Sequence, residues 1–145
     1  MFTEDTETMI KTAAFISIYT PCIKSIRWKF FRFSNSFTLF QGLENNLREL
    51  VLEGNQFRLF PISAVKILKK LQSLNLSKNS VRNITTDSFT RLGSIKYLDM
   101  SDNMFDKINR DTLMSLPKLQ KLSFASNEIQ EVDSGRMAKH TKSMN

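Results

Sequence analysis

The sequence predicts a solenoid, a chain wound into stacked turns that bury their apolar faces against one another, and three observations predict it. The segments LRELVLEGNQFRLF, LQSLNLSKNSVRNI, IKYLDMSDNMFDKI and LQKLSFASNEIQEV begin at Leu47, Leu71, Ile95 and Leu119, a constant interval of 24 residues. Aligned on those starts, positions 1, 4, 6, 11 and 14 are apolar in all four segments, as in Leu71, Leu74, Leu76, Val81 and Ile84. Position 9 is asparagine every time, as Asn55, Asn79, Asn103 and Asn127. Self-similarity at a fixed period of this length marks a fold in which each unit completes its core layer only with its neighbours.

Each column has a physical reason. Positions 4 and 6 lie two apart, so their side chains share one face of a short strand, while positions 3, 5 and 7 look to the other. After such a strand the chain turns inward, and backbone groups become buried without a ladder partner. An amide side chain donates and accepts at once, so the four asparagines are expected to stack as a structural ladder along the solenoid. The pattern L-x-x-L-x-L-x-x-N-x-L resembles the leucine-rich repeat family. The resemblance implies an α/β horseshoe with parallel strands along a concave surface and a convex side of irregular or short helical pieces.

Taken in chain order, residues 1–22 are a poorly defined N-terminal segment, and residues 23–46 read as an N-terminal cap or a degenerate repeat. In that second stretch Asn35, Phe37 and Phe40 match positions 9, 11 and 14, and Leu43 closes a unit shorter than 24 residues. Its strand is expected within WKFFRF, residues 28–33. Four repeats follow at 47–70, 71–94, 95–118 and, incomplete, 119–137. Val65, Phe89 and Leu113 at position 19 and Leu68, Leu92 and Leu116 at position 22 supply the convex side. Met137 still fits position 19, but His140 breaks position 22, and residues 138–145 are a polar tail. The last turn carries no recognisable cap, which points to part of a larger repeat protein or to a chain of marginal stability.

The 145 residues suit one domain, with 24% charged residues and only 4 Gly and 3 Pro giving no evident flexible linker. The net charge of +7 is uneven. Lys24, Arg27, Lys29 and Arg32 crowd IKSIRWKFFRF, and Arg136, Lys139 and Lys142 mark the tail, while the repeats are nearly balanced. Basic residues interleaved with Trp28, Phe30, Phe31 and Phe33 admit three readings. An aromatic seal over the first core layer ranks first, contact of residues 23–33 with a membrane surface second, and a nucleic-acid patch last.

Signals of location conflict. MIKTAAFISIY follows the acidic FTEDTET and is too short and interrupted for an ordinary secretory leader. No run approaches a membrane span. Cys22 is the single cysteine, so no intrachain disulfide forms, and the paired-cysteine caps of extracellular family members are missing. Yet 24-residue repeats are the variant found mostly in secreted and cell-surface members, so the resemblance implies an extracellular or cell-surface protein, with the cytoplasm as the alternative. Two sequons, NLS at Asn75 and NIT at Asn83, are candidate glycosylation sites. Asn83, on the turn after a strand, is the better one, because the first arises readily from the repeat pattern itself.

Catalysis finds no footing, since His140 is the only histidine and Cys22 the only thiol, and the repeat gives neither a partner. No Gly-rich phosphate loop or metal-spaced cluster appears, so no cofactor, metal or small-molecule substrate is expected. Asp99, Asp102 and Asp106 form the one carboxylate grouping that a hard cation would favour, but they read as ordinary outward residues of strand and turn. What remains is recognition of a protein ligand through the outward strand positions. The candidates are Glu49, Val51, Glu53, Ser73, Asn75, Tyr97, Asp99, Lys121 and Ser123, with the large, hydrogen-bonding Tyr97 as anchor. The resemblance places such a module in the ligand-binding part of extracellular receptors of the Toll-like kind or of matrix proteins. The alternatives are an intracellular scaffold, or an uncapped fragment whose basic N-terminal segment touches a membrane.

Overall fold

A computed structural model describes residues 25–27, 40 and 42–133. Each 24-residue unit contributes one three-residue strand to a parallel sheet: β1 (Ser25–Arg27), β2 (Glu49–Val51), β3 (Ser73–Asn75), β4 (Tyr97–Asp99) and β6 (Lys121–Ser123), stacked in that order. Register follows the sequence period without slippage, because Ile26, Leu50, Leu74, Leu98 and Leu122 stand opposite one another across the whole sheet. A one-residue slip would carry these side chains out of the core, so the period-two pattern fixes the register.

The first strand corrects an expectation. It lies at Ser25–Arg27, ahead of WKFFRF, and its Ile26 pairs with Leu50 at the full 24-residue spacing. The upstream unit is therefore not short from strand to strand. In this frame Ile26 takes position 4. The misleading signal is the match of Asn35, Phe37 and Phe40 to positions 9, 11 and 14; Phe40 and Leu43 are fully buried, with Leu43 one residue farther from the next strand than Leu68 is.

Behind the sheet, Leu50, Leu52, Val65, Leu68, Leu74 and Leu76 retain at most 1% of their surface, and their equivalents in the next turn are buried likewise. Each such side chain contributes about 1.5–3 kcal/mol relative to exposure. Rings lock successive turns: Phe60 meets Phe89 edge to face at 5.1 Å, and Phe105 meets Phe124 at 5.4 Å.

The asparagine ladder forms as its hydrogen-bond accounting requires. Asn103 donates through Nδ2 to Met100 O in its own turn (3.2 Å) and to Leu76 O in the preceding turn (2.9 Å), while its Oδ1 accepts from Val81 N–H (3.0 Å). Asn79 and Asn127 repeat the arrangement, to Leu52 O and Phe57 N–H and to Met100 O and Phe105 N–H respectively. One side chain thus satisfies buried carbonyls on two turns and a buried N–H on one. The residue before each asparagine is left-handed, as Gly54 (φ 69°), Lys78 (55°), Asp102 (52°) and Ser126 (56°).

On the convex side the chain uses short pieces. A helix at Ile62–Val65 begins after Pro61, whose carbonyl accepts from Val65 N–H at 3.1 Å. A 3-10 turn at Thr86–Phe89 is closed by reciprocal bonds between Thr85 and Ser88. The helix Arg110–Met114 is capped by the Asn109 side chain on Asp111 N–H at 2.7 Å. A second parallel pair, β5 (Lys107–Asn109) and β7 (Glu131–Asp133), adds a small sheet that the repeat pattern did not announce.

Candidate functional site

Because the strands stack in register, the outward residues form two continuous rows. Ser25, Glu49, Ser73, Tyr97 and Lys121 make the first, and Arg27, Val51, Asn75, Asp99 and Ser123 the second. Parallel strands lie about 4.8 Å apart, so the four side chains from Glu49 to Lys121 span about 15 Å.

The two rows differ chemically. In the first, Tyr97 is 42% exposed between Ser73 and Lys121, and the Lys121 ammonium sits 6.0 Å from its ring centroid, a cation–π distance. Glu49 accepts from the Ser25 hydroxyl at 2.9 Å. In the second row the side chains are committed locally. Asn75 Oδ1 accepts from both the N–H and the hydroxyl of Ser77 (2.8 and 2.7 Å), and Asp99 Oδ1 takes the same bonds from Ser101 (3.0 and 2.7 Å). These are Asx turns that carry the chain out of the strand. Val51 corrects the expectation that every outward position is open, since it keeps only 7% exposure. Ser77 is buried too, at 4%.

At the end of the strands Glu53 gathers charge from neighbouring turns. Lys78 donates to it at 2.7 Å and Arg27 lies at 3.7 Å. The hydrogen bond to Glu53, with its negative charge, raises the Lys78 pKa above the ordinary lysine value. Both cations are well exposed, so this cluster shapes the surface field more than it stabilises the fold.

The sequons separate on the same grounds. Asn83 is exposed on its turn, whereas Asn75 and Ser77 hydrogen-bond each other and Ser77 is buried. Asp102 and Asp106 are exposed while Asp99 serves Ser101, and among the described residues no His, Cys, Asp or Glu group is arranged to hold a metal. Cys22, His140 and most of the basic stretch 23–33 lie outside the described residues. Among the described residues no helix is long and apolar enough to cross a membrane.

A parallel sheet with one strand per 24-residue turn, an inward leucine row and an asparagine ladder defines a class of solenoid built to display an open strand face. The leucine rich repeat model matches residues 45–105 and 69–129, together more than half of the chain, and the protein belongs to the leucine-rich repeat family. Its fold is that of a protein-interaction module. Among solved structures it is similar to one in the Toll–Spatzle complex of Drosophila, at TM-score 0.68 and 21% identity over 76% of this chain and 14% of the other. It is also similar to one in the complex of TLR13 with ssRNA13, at TM-score 0.60 and 28% identity over 74% of this chain and 14% of the other. A third is a leucine-rich repeat protein of Leptospira interrogans, at TM-score 0.63 and 22% identity over 76% and 27%. The chain thus spans between about one seventh and one quarter of the length of these proteins.

Proposed function

We propose that the protein is a non-catalytic recognition module that binds a protein ligand through the first row of its concave sheet. The observation that carries this reading is the register itself, which sets Glu49, Ser73, Tyr97 and Lys121 side by side on four successive strands with an exposed aromatic among charges. An aromatic anchor inside a charged rim is the composition of a protein-interface centre. The second row beside it is less available: Asn75 and Asp99 hold turns and Val51 is covered, so direct contact falls mainly to the first row and to Glu53.

The Toll and TLR13 neighbours, together with the 24-residue period, support an extracellular or cell-surface setting, in which Asn83 is the sequon with room for a glycan. Secretion of the chain with a glycan mass that disappears in Asn83→Gln tests that setting; an unglycosylated, cytosolic product favours the intracellular scaffold. The TLR13 complex holds RNA, so nucleic acid enters the test of the ligand as well.

The ligand class is tested by comparing immobilised parent, Tyr97→Ala and Lys107→Ala for retained proteins and for single-stranded RNA. Tyr97→Ala should weaken protein retention by about 1–2 kcal/mol, as loss of an interface anchor does, at an unchanged melting temperature. Lys107→Ala, on the small convex sheet, should retain as the parent does. Equal retention by all three, or RNA bound in preference to protein, would sink the concave-face reading.

A further inference from the structure

The near balance of charge in the repeats hides a segregation by edge. On the edge that follows the strands, cations alternate with carboxylates, as in Arg27, Glu53 and Lys78. On the opposite edge, where the chain returns from the convex side to enter the strands, the pattern is different. Among the described residues Lys66, Ile67, Lys69 and Arg91 line an open depression of about 380 Å³, together with Glu44. Around it the backbone brings further cations into line. Arg48 donates to the Lys70 carbonyl at 3.3 Å, and Ser94 donates to the Lys69 carbonyl at 3.0 Å, which draws the Arg91 turn against the Lys69 turn. Lys96 N–H bonds the Gln72 carbonyl at 2.8 Å, and Gln72 N–H bonds the Arg48 carbonyl at 2.7 Å, so Arg48 and Lys96 belong to one column of the solenoid.

We propose that this strand-entry edge is a second binding site, distinct from the concave face, that takes a linear sulfated polysaccharide. Like charges brought together from adjacent turns repel one another, and the edge gains no packing from Lys69, Lys70 and Arg91, which are exposed. A polyanion lying across the turns offsets that repulsion and releases its counterions. Arginine and lysine meet sulfate oxygens with charge-assisted hydrogen bonds, and Ile67 gives the depression an apolar floor for a sugar ring. Single-stranded nucleic acid fits less well, because it is held by bases stacked on aromatic side chains. Among the described residues no aromatic lines the depression, and the described phenylalanines are buried or partly buried in the core.

The test compares two variants that remove equal charge, Lys69→Gln with Arg91→Gln in the depression, and Arg58→Gln with Arg82→Gln at exposed positions that do not line it. All four side chains are exposed, so melting temperatures should match the parent. Affinity is measured for heparin oligosaccharides, their desulfated form, single-stranded RNA and phosphatidylserine vesicles across a salt series. The expected result is a loss of roughly tenfold or more for heparin in the first variant, with a shallower salt slope, and less than about threefold in the second. Lys69→Arg with Arg91→Lys should restore binding. Equal losses in both variants would reduce the effect to net charge and overturn the site. So would desulfated chains that bind as well as heparin, or RNA or vesicles that bind more tightly and with the same dependence on Lys69 and Arg91.

Discussion

Leu74 and Leu98 keep 1% and 3% of their surface, while Leu122, at the same place in the last turn of the sheet, keeps 38%. Leu76 and Met100 are fully buried, and their counterpart Phe124 is only partly so. Asn79 and Asn103 lie in the core, and Asn127 makes the same bonds at its rim. The residue pattern is the same in the three turns, so the difference comes from what lies on the far side of each. Among the described residues no strand pairs with the outer edge of β6. In a solenoid a column residue is worth what its next neighbour buries, and the stability of a turn belongs partly to the turn after it.

That comparison is broken most directly by truncating the equivalent leucines. Leu98→Ala leaves a cavity between two packed turns and should cost about 2–5 kcal/mol in denaturant unfolding. Leu122→Ala removes a side chain already in contact with water and should cost below about 1 kcal/mol. Equal losses would mean that in solution the last turn is covered, by chain beyond residue 133 or by a second molecule. Hydrogen exchange sharpens the result, since the Phe124 amide should then be as protected as that of Leu76.

How much of this was legible beforehand follows from the same logic. The leucine columns, the ladder and the sheet register were readable because each repeats four times, and a repeated constraint exposes itself by alignment alone. β1 was displaced, because Asn35, Phe37 and Phe40 fit positions 9, 11 and 14 in a frame that starts four residues after the one in which Ile26 takes position 4. The small sheet of β5 and β7 has no period of its own, since its strands sit at positions where other turns use irregular chain. Among the face residues, alternation told which side each one takes but not what lies over it. Val51 and Ser77 are buried on the outward side, and the Asx turns at Asn75 and Asp99 have a cue, the Asn-x-Ser and Asp-x-Ser spacing, that was read at Asn75 as a sequon and at Asp99 as part of a carboxylate grouping. The basic strand-entry edge escaped because its cations are scattered over Arg48, Lys66, Lys69, Lys70 and Arg91 and meet only after folding.

The ladder offers a smaller contrast of the same kind. Asn103→Leu leaves the Leu76 carbonyl with one donor fewer and the Val81 N–H with none in place of Oδ1, both in the core, and should cost about 1–3 kcal/mol. Asn127→Leu removes the equivalent bonds at a half-buried side chain, beside which water can take the place of the amide, and should cost less than Asn103→Leu, about 1 kcal/mol in thermal melts. A parent-like melt for Asn103→Leu would contradict the bridging role of the amide.

The smallest effect concerns the left-handed residue ahead of each asparagine, where the turns share a backbone shape but not a residue type. Gly54 holds φ 69° with nothing within 4 Å of where a Cβ would stand, so Gly54→Ala meets no clash and reports the backbone alone. It should destabilise by about 1 kcal/mol, because an L side chain resists this region. Ser126 already bears that strain at φ 56°. Ser126→Gly relieves about 1 kcal/mol of it and loses about 0.5–1 kcal/mol to the freer unfolded chain. The net change should therefore fall within about 0.5 kcal/mol of zero. The expected order of melting is Gly54→Ala lowest, with parent and Ser126→Gly nearly together. If Gly54→Ala melted with the parent, the first turn would not hold a left-handed residue in solution, and the four turns would not share one backbone.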